Sequence, residues 1–169
     1  MALISANSPD FIYNVFNDCV QELTSVKNQS EFIKAKDEIK KVVREAINDL
    51  KAGKVPVKDL EYNVMIHENP EERLQGKVLH QPYQCAIQLI NSGKKVKKGD
   101  VMNFVKVKPF NYQGKTFTVK PTGHMKSFSE INVDDYVRNL RTALSQVFKP
   151  MNIKFMDEET TKRTLSNFL

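Results

Sequence analysis

The chain is poor in the groups that catalysis and secretion require. It holds two cysteines and three histidines, and His67, His80 and His124 follow no regular spacing. It contains no P-loop, no nucleophile elbow and no H-E-x-x-H pattern. A site that moves protons or holds a metal needs several such groups together, so a catalytic residue set and a metal site are not expected here. Cys19 and Cys85 sit among apolar neighbours in helix-like stretches, which points to two buried free thiols rather than a disulfide or a zinc site. No apolar run approaches the roughly 20 residues that cross a bilayer. The start, MALISANSPDF, also lacks the basic-then-apolar order of a signal peptide. The expectation is an intracellular protein with no membrane partner.

Acidic residues are scarce where basic ones are dense. Residues 94 to 126 carry nine lysines against a single acid, Asp100, a local balance of +8 that leaves the rest of this +6 chain at −2. Phe104, Phe110, Tyr112 and Phe117 are interleaved with that charge. Concentrated base with aromatics favours a polyanion, nucleic acid before an anionic membrane. The plainer alternative, a solvated face that keeps the protein soluble, stays open on composition alone.

At 169 residues, with 40% hydrophobic and 27% charged, the chain can bury one sizeable core or two small lobes. SPDFIYNVFNDCVQEL reads as a helix with Ser8 as N-cap, Pro9 at the first helical position and Phe11, Ile12, Val15, Phe16, Cys19, Val20 and Leu23 at helical spacing. A second helix starts near Ser30, runs through Ile39, Val43, Ile47 and Leu50, and stops at Gly53, making an antiparallel pair with the first. VPVKDLEYNVMI reads as an extended connection, and a third helix covers roughly 80 to 92 with Tyr83, Ala86, Ile87 and Ile90. After Gly93 the period changes. Val101, Asn103, Val105 and Val107 alternate with Met102, Phe104, Lys106 and Lys108, which predicts a strand with Lys106 and Lys108 on its wetter face; GKTFTVKP is its partner. A last long helix spans Val133 to Phe148, with Asp134 and Asp135 in its favoured acidic first turn, and Pro150 ends it. Neighbouring positions on a helix point about 100° apart, so the two aspartates suit that N-terminal role better than a metal site. The expected fold class is α+β, mainly helical, a helical bundle with a small antiparallel sheet. Its parts are a helical region 8–92, a basic turn and small sheet 93–120, and the final helix 133–148 in a domain of residues 1–150, followed by a flexible tail over 151–169.

In order and spacing, these elements resemble the C-terminal thumb of a family B DNA polymerase, the group of replicative archaeal, eukaryotic and many viral enzymes. The likeness rests on KVPVKDLEY after the second helix, on the helix, NSG, basic stretch and GDVMNFV, and on INVDDYVRNLRTALSQVFKP. Gly93, Gly99, the strand from Val101, Asp135, Tyr136, Leu140, Leu144, Phe148 and Pro150 fall where that pattern places them. The resemblance implies a domain that wraps the primer–template duplex and holds its backbone while a separate palm does the chemistry. Lys94, Lys95, Lys97 and Lys98 on the turn, and Lys106 and Lys108 along the strand, would then meet phosphates, with Lys77 and His80 as further candidate contacts. It also implies no cofactor in this chain, since the palm that holds the magnesium ions is missing. The chain alone would be inactive, an excised domain or one half of a split enzyme working at sites of DNA replication with palm and fingers as partners.

Two departures stand out. Ile66, His67 and Glu68 replace the threonine and arginine that usually follow the V-P-x-x-L connection, and Pro82 stands where many members have a histidine, two residues after His80. The last residues, KRTLSNFL, place Leu165, Phe168 and Leu169 at a spacing similar to that of sliding-clamp-binding peptides, with Lys162 in place of the usual glutamine. A clamp or other processivity factor is the partner this suggests, and a frayed end packing on its own domain is the alternative. Two rival readings of the whole chain remain: a separate non-enzymatic DNA-binding or processivity accessory protein, and an interaction module whose basic patch meets an acidic protein.

Overall fold

The computed structural model describes residues 5–76 and 78–155. Helix α1 spans Asp10–Gln21 and buries Phe11, Ile12, Val15 and Cys19. It starts one residue later than its sequence suggests. Pro9, not Ser8, takes the cap position in an extended conformation, and its carbonyl accepts from the amides of Ile12 and Tyr13. Helix α2, Gln29–Lys51, is capped by Asn28, whose side chain accepts from the Glu31 amide at 2.9 Å, while the Glu31 carboxylate accepts from the Lys27 amide at 2.7 Å. At its far end, Gly53 turns left-handed, and the amides of Gly53 and Lys54 close back on Leu50 and Asp49.

The connection after α2 is more structured than an extended linker. Residues Val57–Leu60 form a short 3-10 turn, and Tyr62–Met65 form strand β1. Strand β1 pairs antiparallel with β2, Val101–Tyr112, from Tyr62 opposite Phe104 to Met65 opposite Val101. Strand β3, Lys115–Pro121, flanks β2 on the other side, so the sheet order is β1-β2-β3. The sheet is therefore not confined to residues 93–120. Between β1 and β2 lie the single turn α3, Pro70–Arg73, and helix α4, Gln81–Asn91. Helix α5 spans Val133–Phe148, and Tyr136, Val137, Leu140, Leu144 and Phe148 are buried along it.

Two apolar clusters result. The larger joins α1, α2 and α5 through residues such as Ile39, Leu50, Leu140 and Phe148; the smaller gathers Ile66, Tyr83, Cys85, Ala86 and Val119 beneath α4. Strand β2 feeds both: Met102 and Phe104 belong to the smaller cluster, and Val105 and Val107 to the larger. Its burial therefore does not follow one alternation. Val101 and Asn103 are exposed while Met102 and Phe104 are buried, and the register shifts between Lys106 and Phe110.

Helix α5 is fastened to β2 where β1 runs out. The Tyr136 hydroxyl donates to the Leu60 carbonyl at 2.6 Å and accepts from the Lys106 amide at 2.9 Å. The Asn132 amide donates to the Lys106 carbonyl, and Val107 bridges Ile131. Beyond α5 the chain does not leave the fold at Pro150. Asn152 adopts a left-handed conformation, the Ile153 amide returns to the Phe148 carbonyl, and Ile153 and Phe155 are buried, with Phe155 edge-on to Phe148 at 5.8 Å. The expected tail from 151 is thus corrected: packing extends at least to Phe155, because two apolar side chains follow the turn.

Candidate nucleic-acid interface

The basic turn is built between the end of α4 and the start of β2. Helix α4 ends in a left-handed Gly93, φ +91°, with the amides of Gly93 and Lys94 returning to Ile90 and Leu89 at 2.9 and 3.0 Å. A second left-handed glycine, Gly99, also at φ +91°, redirects the chain into β2. At both positions a side chain would be strained by the backbone alone, since nothing else lies within 4 Å of a Cβ placed there. Between them, Val96 packs against the smaller cluster and acts as the turn's foot.

Three consecutive amides of the turn are held from within the protein. The Lys97 amide donates to Asp100 Oδ2 at 2.9 Å, the Lys98 amide to Asn69 Oδ1 at 3.1 Å, and the Gly99 amide to the Ile66 carbonyl at 2.8 Å. The Ile66 amide answers to the Asp100 carbonyl at 3.0 Å, extending the β1–β2 pairing. The side chains of Lys94, Lys95, Lys97 and Lys98 are exposed, and none of them has a carboxylate partner among the described residues. The structure thus brings these four lysines together as unpaired charge on a fixed backbone.

The other lysines of the basic segment divide into two kinds. Lys108, Lys115 and Lys126 are exposed and form no ion pair among the described residues. Lys106 is different from what its place in the strand suggests. Its side chain is only 18% exposed, its ammonium lies 3.3 Å from Asp135 and it sits over the Tyr62 ring at 4.8 Å. Asp135 also accepts from Arg138 at 3.1 Å. Lys120 is likewise committed, to Glu130 and to the face of Phe110. The hydrogen bond from Lys120, followed by one from the Lys126 amide, holds the Glu130 carboxyl below its ordinary value.

His80 is exposed at the N-cap of α4, where its carbonyl accepts from the amides of Tyr83 and Gln84 and its side chain caps nothing. Lys77, Leu165, Phe168 and Leu169 lie outside the described residues. Sequence patterning missed the polar supports of the site. Gln84 and Gln88 are buried on α4. Gln84 Oε1 accepts from the Thr118 amide at 2.9 Å, and Gln88 Nε2 donates to the Val119 carbonyl at 2.8 Å, so side chains occupy β3 groups that the ladder leaves open. Asn69, the acceptor for Lys98, was equally silent. Among the described residues no three His, Cys, Asp or Glu side chains group closely enough to hold a metal ion. No helix in the described residues is long and apolar enough to cross a membrane.

The family model described as DNA polymerase family B matches residues 4–151. DNA polymerase 1 of Sulfurisphaera ohwakuensis is 27% identical over 147 residues, which cover 87% of this chain and 16% of that protein. DNA polymerase 1 of Sulfolobus acidocaldarius is 26% identical over 162 residues, 96% of this chain and 17% of the relative. This chain therefore spans about one sixth of the length of these curated relatives. Its fold is similar to part of the family B DNA polymerase from the hyperthermophilic archaeon Pyrobaculum calidifontis, with a TM-score of 0.69, 22% identity, and 91% of this chain and 19% of that one covered. A match running through both helical and sheet parts places the family beyond the fold alone, and the chain belongs to DNA polymerase family B.

Proposed function

We propose that the chain is the thumb of a DNA-directed DNA polymerase and that its basic turn grips the backbone of the primer–template duplex. The observation that supports this most is the set of four exposed lysines, Lys94, Lys95, Lys97 and Lys98, which form no ion pair among the described residues, on a turn whose amides at residues 97–99 are tied to the fold. Ammonium groups that replace condensed counterions give affinity for any sequence, as an enzyme that moves along its template requires. Lys108 extends the charge along β2. Lys106 serves as a structural partner of Asp135, and Lys77 and His80 precede α4 as secondary contacts. Nucleotide transfer belongs, on this reading, to magnesium held by palm aspartates elsewhere in the enzyme, and this chain alone is inactive in synthesis. Its partners are then DNA, the palm and the fingers, at sites of replication.

The test is binding of a duplex of arbitrary sequence across a salt series. Replacing Lys94, Lys95, Lys97 and Lys98 by alanine flattens the slope of log affinity against log salt by about three to four units, at roughly 0.9 per lost phosphate contact. An unchanged slope removes the turn from the interface. The spacing of Leu165, Phe168 and Leu169 supports a second contact, with a sliding clamp or another processivity factor through a few apolar anchors. A chain ending at Asp157 should lose that binding and keep its DNA affinity; equal clamp affinity with and without the last residues refutes the contact.

A further inference from the structure

We infer that Asn69 is a positioning residue for the basic turn, and that residues 97–99 of the turn meet phosphate through lysine side chains alone, with no part played by their backbone amides. The inference rests on the DNA-gripping role proposed above. A glycine-bracketed turn rich in lysine has two ways of holding an anion. Its successive amides can converge into a nest, or its ammonium groups can act as separate point charges. At residues 97–99 the first way is closed. The amides of Lys97, Lys98 and Gly99 are taken up by Asp100, Asn69 and Ile66 respectively.

Of these acceptors only Asn69 is a side chain from outside the turn. It is neutral, 29 residues away in sequence, and stands on a segment that is itself anchored. Ile66 is buried, the Glu68 amide donates to the hydroxyl of the buried Tyr83 on α4 at 3.2 Å, and Arg73 donates to the Glu68 carboxylate at 2.8 Å. A line of support therefore runs from α4 through Tyr83 and the 66–69 segment to Lys98, the last lysine of the turn. What this support supplies is preorganisation. Lysine side chains on a fixed backbone lose less freedom when they meet a duplex than lysines on a loose loop.

Asn69→Ala changes no formal charge, so it separates positioning from electrostatics. Amide hydrogen exchange at Lys98 should rise by about tenfold or more as its acceptor is lost. Duplex affinity should fall by about three- to tenfold through added ordering cost, with the salt slope unchanged because the number of phosphate contacts is unchanged. Asn69→Asp keeps an acceptor oxygen and should restore the protection of Lys98, an outcome that a general loss of stability would not give. Inorganic phosphate at millimolar concentration should leave the amide resonances of residues 97–99 unmoved in the full chain.

Parent-like duplex affinity in Asn69→Ala, beside a flattened slope in the four-lysine variant, would overturn the positioning role while leaving the interface intact. Displacement of the 97–99 amide resonances by phosphate would overturn the side-chain-only mode. An unchanged slope in the four-lysine variant would overturn the interface itself, and Asn69's role in it with it.

Discussion

Tyr136 shows how much a single side chain can join. Its ring is fully buried, and its hydroxyl connects the carbonyl of Leu60 to the amide of Lys106 across a sequence separation of 76 on one side. Burial pushes the hydroxyl's pKa well above its ordinary value, so it stays protonated and able to donate. Tyr136→Phe keeps the ring and leaves both backbone groups unmatched, at a cost of about 1–3 kcal/mol for a buried group without its partner. Denaturant unfolding of the variant checks this, and an unchanged midpoint would mean that water replaces the hydroxyl. The burial of Tyr136 was readable from its place on the helical stripe, whereas its two hydrogen bonds were not, because both partners lie on other elements. The lysines repeat that division. Composition located the positive charge, but the sequence gives Lys106 and Lys108 the same standing, and only the fold brings Asp135 against one of them.

At the level of elements, periodicity served the helices best. The bounds of α5 match the expected Val133 to Phe148, since an acidic first turn opens it and an apolar ridge of Tyr136, Leu140, Leu144 and Phe148 runs its length. Strand β1 escaped because four residues with two on each face carry almost no pattern, and its partner arrives only at Val101. The burial of β2 was misread for a related reason. A strand that packs against different clusters on its two faces has apolar residues at both parities, which cancels the alternation. The burial of Ile153 and Phe155 is not legible in the sequence, because two apolar residues after a turn have no period at all. Gly93 and Gly99 were the most informative single residues of the site, since both mark left-handed backbone that frames the lysines.

The whole molecule has two apolar clusters that share one strand, and this sets how it should unfold. Met102 and Phe104 cannot leave the smaller cluster without disturbing Val105 and Val107 in the larger, so the two should melt in one transition. Each cluster carries its own reporter. Cys19 lies in the larger and Cys85 in the smaller, and burial lifts each thiol to about 12, with nearby carboxylates adding to the effect. Both are inert to alkylation in the folded state near neutral pH and return to ordinary reactivity on unfolding. Pulsed labelling along a urea series should give the same midpoint for Cys19 and Cys85; separate midpoints would divide the molecule into two independently folding lobes. Local periodicity could not have supplied this arrangement, because it depends on which cluster each face of β2 meets.

The closure of the larger cluster by Ile153 and Phe155 also has a consequence in time. During synthesis α1 and α2 can meet once Lys51 has been added, but the apolar faces they turn towards α5 have no cover until that helix is made, ending at Phe148, and Ile153 and Phe155 close the cluster only after it. At about 5–20 residues per second, that interval is on the order of 5–20 seconds. For this period the nascent helical pair shows a ribosome-side chaperone the same surface that it later hides, and a release of the chain before α5 is made would leave that surface bare for good.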